Sequence, residues 1–298
     1  MKVWRWVGLI AIVAVVYQGF VLWKGRNDGF TVERIVSKLP SSPAWDLPVT
    51  EAKLAQVNQI LAQPFYYIGR GFQFYAFESS DGRYVLKFMR HQRLHPPVLY
   101  DWFPDCGLVR DIKAKKCLKR QKRVDELFNS LTIAFKELPD ECGLVYVHLN
   151  KDTNLHKNAF LVDLQGDEYL VPLDSTEFVL QQKASFVKLE IKGLMKAGKI
   201  DEAKERISQL FCLLKETARK GILDLDGALI SKNNVGFIED RAIYIDTGRF
   251  VHKESIKMNE RFATDLRRLK PLYKWLVRNF PPLAAHFEKL EASYKNEA

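Results

Sequence analysis

The sequence predicts an α+β protein with two lobes, a strand-rich one followed by a small helical one, behind a single transmembrane helix. Three observations carry this. Residues 65–90 are short runs of aromatic and β-branched side chains separated by turn residues. Residues 185–220, and the stretch from Asn259 onward, repeat apolar residues at helical spacing. Residues 6–23 carry no charge. Strands grouped before helices, rather than alternating with them, are the pattern of an α+β chain. The expected division is an anchor over 1–24, a juxtamembrane linker and helix over 25–63, a strand-rich lobe over 64–182 and a helical lobe over 183–298.

The anchor comes first. Eighteen residues at helical rise span roughly 27 Å, close to the hydrocarbon thickness of a bilayer. Trp4, Trp6 and Trp23 bracket the run, with Lys2 and Arg5 before it and Lys24 and Arg26 after it. A cleaved signal peptide is the competing reading, but its apolar region is shorter and ends in small residues. The expectation is a single-pass membrane protein with its folded part on the cytoplasmic side. Gly25, Gly29, Pro40, Pro43 and Pro48 mark a linker, and Thr50–Ala62 is a helix with Thr50 as N-cap and Leu54, Val57 and Leu61 on one face.

Strands follow at Phe65–Ile68, Phe72–Ser79 and Arg83–Met89, the last two joined through Ser80-Asp81-Gly82. Residues 91–110 are irregular and Pro-rich. Asp111–Leu138 is a long helix ended by Pro139. Further strands are expected around Gly143–Leu149, Ala159–Val162 and Tyr169–Pro172. Ser185–Lys220 is helical, broken near Gly198, with Asp201 capping the second part. Gly221–Phe250 reads as loop, strand, turn, strand. One or two helices interrupted at Pro281-Pro282 complete the chain.

Composition narrows the function. Apolar residues make up 47% of the 298, so the chain buries a core and is not a disordered segment. A net charge of +10 favours acidic partners: nucleic acid, anionic headgroups or phosphorylated ligands. The four cysteines form no C-x-x-C pair and have no histidines at zinc-ligand spacing, so they read as thiols.

The chemistry concentrates in Gly221–Phe250. This stretch holds Asp226 in a turn, the amide pair Asn233 and Asn234, a short apolar run, and then Asp246-Thr247-Gly248. Phosphoryl transfer needs a carboxylate for the attacking hydroxyl, and an amide oxygen with a second carboxylate to hold magnesium on the triphosphate. Taken singly, each of these residues is also a common turn former. Upstream, Gly69 and Gly71 sit between two strands, where backbone N–H groups without neighbouring Cβ atoms can approach phosphate; a plain hairpin turn is the alternative. Lys87, between Leu86 and Phe88 on a strand, needs an anionic partner when half-buried.

These motifs together resemble the protein-kinase-like superfamily, including its small-molecule and lipid kinase relatives. Gly221-Ile-Leu-Asp-Leu-Asp226 lines up with Gly-Ile-Val-His-Arg-Asp, Asp246-Thr-Gly248 with Asp-Phe-Gly, and Tyr84-Val-Leu-Lys87 with Val-Ala-Ile-Lys. The resemblance implies a two-lobed kinase-like fold with ATP and Mg²⁺ as cofactors. Asp226 is the implied base, Asn233 and Asp246 the metal ligands, and Gly69, Gly71 and Lys87 the nucleotide-binding groups. Glu126 is the preferred partner for Lys87, with Glu137 as the alternative. The chain departs from the pattern in three places. Asp226 and Asn233 are seven residues apart where five is usual, Phe74 replaces the third glycine, and no Ala-Pro-Glu follows. A catalytically inactive pseudokinase, acting as a membrane-bound binding module, therefore stands beside an active phosphotransferase.

Arg110–Arg123 holds eight Lys or Arg among fourteen residues. At a membrane surface such a run attracts anionic lipid; on a free helix it is a solvated face. It lacks the interleaved aromatics of a single-strand nucleic-acid binder, so nucleic acid is not expected as a partner. A basic membrane adaptor without a nucleotide site completes the alternatives.

Overall fold

The computed structural model describes residues 28–94, 107–151, 155, 157–227, 229–231, 233–253 and 258–296. In chain order the elements are α1 (Glu51–Ile60), β1 (Phe65–Arg70), β2 (Phe74–Ser79), β3 (Tyr84–Met89), α2 (Gly107–Glu137), β4 (Leu144–His148), β5 (Asn158–Val162), β6 (Glu168–Pro172), β7 (Phe178–Gln182) and β8 (Ser185–Phe186). They continue as α3 (Val187–Lys196), α4 (Ile200–Arg219), β9 (Ile222–Asp224), β10 (Val235–Ile238), β11 (Arg241–Tyr244), β12 (Phe250–His252), α5 (Met258–Asn279) and α6 (Pro281–Asn296). The chain is α+β, and its described residues fall into two compact units, 28–94 with 148–178 and 107–147 with 179–296.

The first unit is built on strands in the order β3-β2-β1-β5-β6. Neighbours are antiparallel except β1 and β5, which run parallel. Alternation sends Phe65, Tyr67, Tyr75, Phe77, Phe88, Leu161 and Val171 into the core. Phe30 closes that layer, with its ring 5.1 Å from Phe77 and 5.4 Å from Tyr75, both edge-on. Thr50 caps α1 as the sequence predicts, its Oγ accepting the Lys53 N–H at 3.3 Å. The β2–β3 hairpin turns where expected: Gly82 takes φ +71°, and Asp81 Oδ1 accepts from Ser79 Oγ at 2.6 Å and from the Arg83 N–H at 3.0 Å. Two buried polar side chains of this unit meet on one carboxylate. His91 Nε2 lies 2.7 Å from Glu177 Oε2, and Ser37 Oγ donates to the same carboxylate.

In the second unit, α4 packs against α6 through Phe211, whose ring stands 5.1 Å from Phe287 and 5.6 Å from Tyr294. The break between α3 and α4 falls at Gly198, which takes φ +74°. The cap is Lys199 rather than Asp201, because α4 begins at Ile200, two residues earlier than an Asp201 cap implies, which places Asp201 inside its first turn. Gln181 donates from Nε2 to the carbonyls of Cys142 and Tyr244 at 2.7 and 2.9 Å, joining β7 to β11. β10 crosses so close to β8 that a Cβ on Gly236 would lie 2.4 Å from the Ser185 carbonyl oxygen.

One strand was missed and one expectation is corrected. β7 was not legible: Phe178, Val179, Leu180 and Gln181 are all buried, and a strand buried on both faces shows no alternation. The single-pass membrane localisation is also overturned. Among the described residues no helix is long and apolar enough to cross a membrane. The run at 6–23, on which the anchor rested, lies outside the described residues.

Candidate active site

The first unit carries Gly69, Gly71 and Lys87. Gly69 lies at a break in the β1–β2 register, between the Tyr67–Phe77 and Gly69–Ala76 pairs, with φ +149°, a conformation that suits glycine. The Gly71 N–H donates to the Phe74 carbonyl at 2.8 Å and closes the turn. The Arg90 guanidinium binds the Gly71 carbonyl and stacks on Tyr75 at 5.0 Å, so the loop is held from its own strand end. A Cβ at Gly69 or Gly71 would meet nothing within 4 Å, leaving the backbone there open. Lys87 sits on β3 opposite Ala76, half-buried between the fully buried Leu86 and Phe88.

The second unit carries Asp226, Asn233 and Asp246 on two strand pairs. β9 runs antiparallel to β12, with Asp224 opposite Phe250, and the Leu225 N–H reaches the Arg249 carbonyl at 3.0 Å. The turn bearing Asp226 therefore lies against the chain that leaves Gly248. β10 and β11 form a hairpin, and the Asn234 carbonyl accepts the N–H groups of Ile245 at 2.7 Å and Asp246 at 3.3 Å. That ladder brings the amide pair beside Asp246. Asn233 is exposed at φ +56°, a left-handed position that asparagine tolerates. Asn234 is 6% exposed, and its Nδ2 has no hydrogen-bond partner among the described residues. The Asp246 carboxylate is exposed and accepts the Gly248 N–H at 3.1 Å, which fixes the following turn.

Glu126 stands on the exposed side of α2, with Oε1 3.9 Å from Lys122 Nζ. The amide pair and the two acidic turns thus share one unit, whereas Gly69, Gly71 and Lys87 belong to the other.

Four further residues shape the second unit's turns and were not singled out from the sequence. Ser130, fully buried on α2, donates to the Thr247 carbonyl and accepts the Phe250 N–H, each at 2.6 Å. Arg268, on α5, grips Asp224 and also lies 3.3 Å from Asp265. Asp265 in turn accepts from Arg261 Nε and Tyr294 Oη, both at 3.3 Å. Burial pushes the Asp224 carboxyl up to about 6, against the lowering effect of Arg268, and burial likewise raises Asp265. Arg261, Asp265 and Arg268 recur at helical spacing within an otherwise apolar stripe, and that was the available signal. Nothing comparable marks Ser130.

No family model matches the chain, and no curated protein matches it. Solved structures do. A 2.2 Å crystal structure of WbdD aligns over 74% of this chain and 43% of its own, at 16% identity and a TM-score of 0.34. A structure described as the bifunctional kinase-methyltransferase WbdD aligns over 73% and 42%, at 17% identity and the same TM-score. A monomeric WbdD aligns over 73% and 45%, at 18% identity. The chain spans less than half the length of these structures. At such values the likeness assigns neither an activity nor a residue role.

Proposed function

We propose that the chain is a divergent kinase-like protein that binds ATP with Mg²⁺ and transfers the γ-phosphoryl group to a hydroxyl. The observation that carries the reading is local to the second unit. The Asn234 carbonyl bonds the N–H groups of Ile245 and Asp246, and the Leu225 N–H bonds the Arg249 carbonyl, so both acidic turns and the amide pair are gathered by backbone pairing.

Magnesium prefers hard oxygen donors and is held by one or two carboxylates together with substrate phosphates. The exposed Asp246 carboxylate and the Asn233 amide oxygen are donors of that kind. Among the described residues no group of three or more His, Cys, Asp and Glu forms a protein-only metal cage, and a phosphate-bridged ion does not need one. Bound Mg-ATP supplies the transferable phosphoryl group and the metal's charge. Asp226 would take the proton of the acceptor hydroxyl, whose oxygen would replace the β-phosphate oxygen on the transferred phosphorus, with ADP as the leaving group.

The test is a thermal shift of the full chain with Mg-ATP. At 100 times its dissociation constant the ligand stabilises by about 2.7 kcal/mol. The shift is expected to vanish in Asp246→Ala, and ATP turnover to vanish in Asp226→Ala. Absence of any shift in the parent chain overturns the reading. Binding without transfer is the second reading, favoured by the seven-residue separation of Asp226 and Asn233; a nucleotide shift without turnover gives that outcome.

A further inference from the structure

The end of β9 holds a buried carboxylate that does two things at once. Asp224 is 5% exposed, its Oδ2 is bound by the Arg268 guanidinium, and its Oδ1 accepts the backbone N–H of Asp226 at 2.8 Å. A carboxylate present only to neutralise Arg268 has no need to close the turn two residues on. We propose that Asp224 is a positioning residue for Asp226, the link through which α5 sets the turn bearing the Asp226 side chain. The inference rests on the phosphotransfer reading only for what Asp226 does.

Among the described residues, Arg268 from α5, Tyr244 from β11 and Asp226 from its own turn act on Asp224. Asp265 shares Arg268 and is met by Arg261 from α5 and Tyr294 from α6. Asp224 and Asp265 balance Arg261 and Arg268 in charge, with the Asp226 carboxylate beside them. An ionised Asp224 gives charge-assisted bonds to both Arg268 and the Asp226 N–H, and protonation weakens both together. The turn therefore tightens as pH rises through the Asp224 titration, near 6 because burial opposes the charge.

The experiment follows backbone amide signals of ¹⁵N-labelled full chain from pH 4.5 to 8, beside ATP turnover over the same range. The Asp226 amide is expected to titrate with a midpoint near 6 in the parent chain and to lose that titration in Asp224→Asn. Turnover is expected to show an acid limb at the same midpoint, and in Asp224→Asn to fall on the order of 100-fold, as misplaced groups do, while the Mg-ATP thermal shift is kept. An Asp226 amide that does not titrate overturns the proposal, whatever the turnover. So does an Asp224→Asn variant with the parent's rate and profile. A titrating amide in a parent chain without turnover leaves the coupling standing and removes the phosphotransfer reading.

Discussion

Ser130 and Thr247 are 117 residues apart in sequence, yet the Ser130 hydroxyl donates to the Thr247 carbonyl at 2.6 Å from within α2. The same oxygen accepts the Phe250 N–H, so one side chain holds both ends of the turn that follows Asp246. Ser130→Ala strands a buried carbonyl and a buried N–H, and the expected loss is about 2–3 kcal/mol. Urea denaturation measures it. A change below about 0.5 kcal/mol, the range of a neutral surface substitution, means the turn does not depend on Ser130.

Gly236 is required by contact rather than by conformation. A Cβ there would lie 2.4 Å from the Ser185 carbonyl oxygen and 2.9 Å from Ile245 Cδ1. Gly236→Ala has to push β10 away from β8, at a cost of about 1–3 kcal/mol, as for other overpacked sites. Because β10 leads from the amide pair, the same variant is expected to shift backbone amide signals at 233–236, which a two-dimensional NMR spectrum checks.

Arg268→Met breaks the buried charge cluster by removing one partner. It takes Arg268 from Asp224 and leaves Asp265 with Arg261, both carboxyls being raised by burial. The expected loss is about 3–5 kcal/mol at neutral pH, measured by chemical denaturation. A stability within about 1 kcal/mol of the parent shows instead that the side chains rearrange to replace the pairing.

Asp224 also makes stability depend on pH. Its folded carboxyl, near 6, lies above the ordinary 3.8, so between those values the native state keeps a proton that the unfolded chain has lost. Its contribution is full below about pH 4 and declines as pH rises toward 6, by about 3 kcal/mol in total. The stability difference between the parent chain and Asp224→Asn is expected to fall by that amount across the window, in denaturation series at fixed ionic strength. A flat difference shows that Asp224 titrates at its ordinary position.

Much of the element order was legible because it is written in local chemistry. Thr50 announces its helix by a capping hydroxyl, Ser80-Asp81-Gly82 its hairpin by turn residues, and Gly198 its helix break by a left-handed φ that glycine takes without strain. β7 was not legible, since burial on both faces removes the alternation by which a strand is read. The run at 6–23, whose local signal suggested an anchor, lies outside the described residues, and among those no helix is long and apolar enough to cross a membrane.

By itself the sequence offered Lys87, Asp226, Asn233 and Asp246 as candidates for phosphate and magnesium, on the order in which they occur. Only the tertiary structure decided what surrounds the acidic turns: Ser130 beneath Thr247, Asn234 beside Asp246, and Arg268 on Asp224. The reason is range. A cap or a turn is closed by neighbours in the chain, whereas a buried hydroxyl or guanidinium finds its partner 44 to 117 residues away, through packing that no local pattern records.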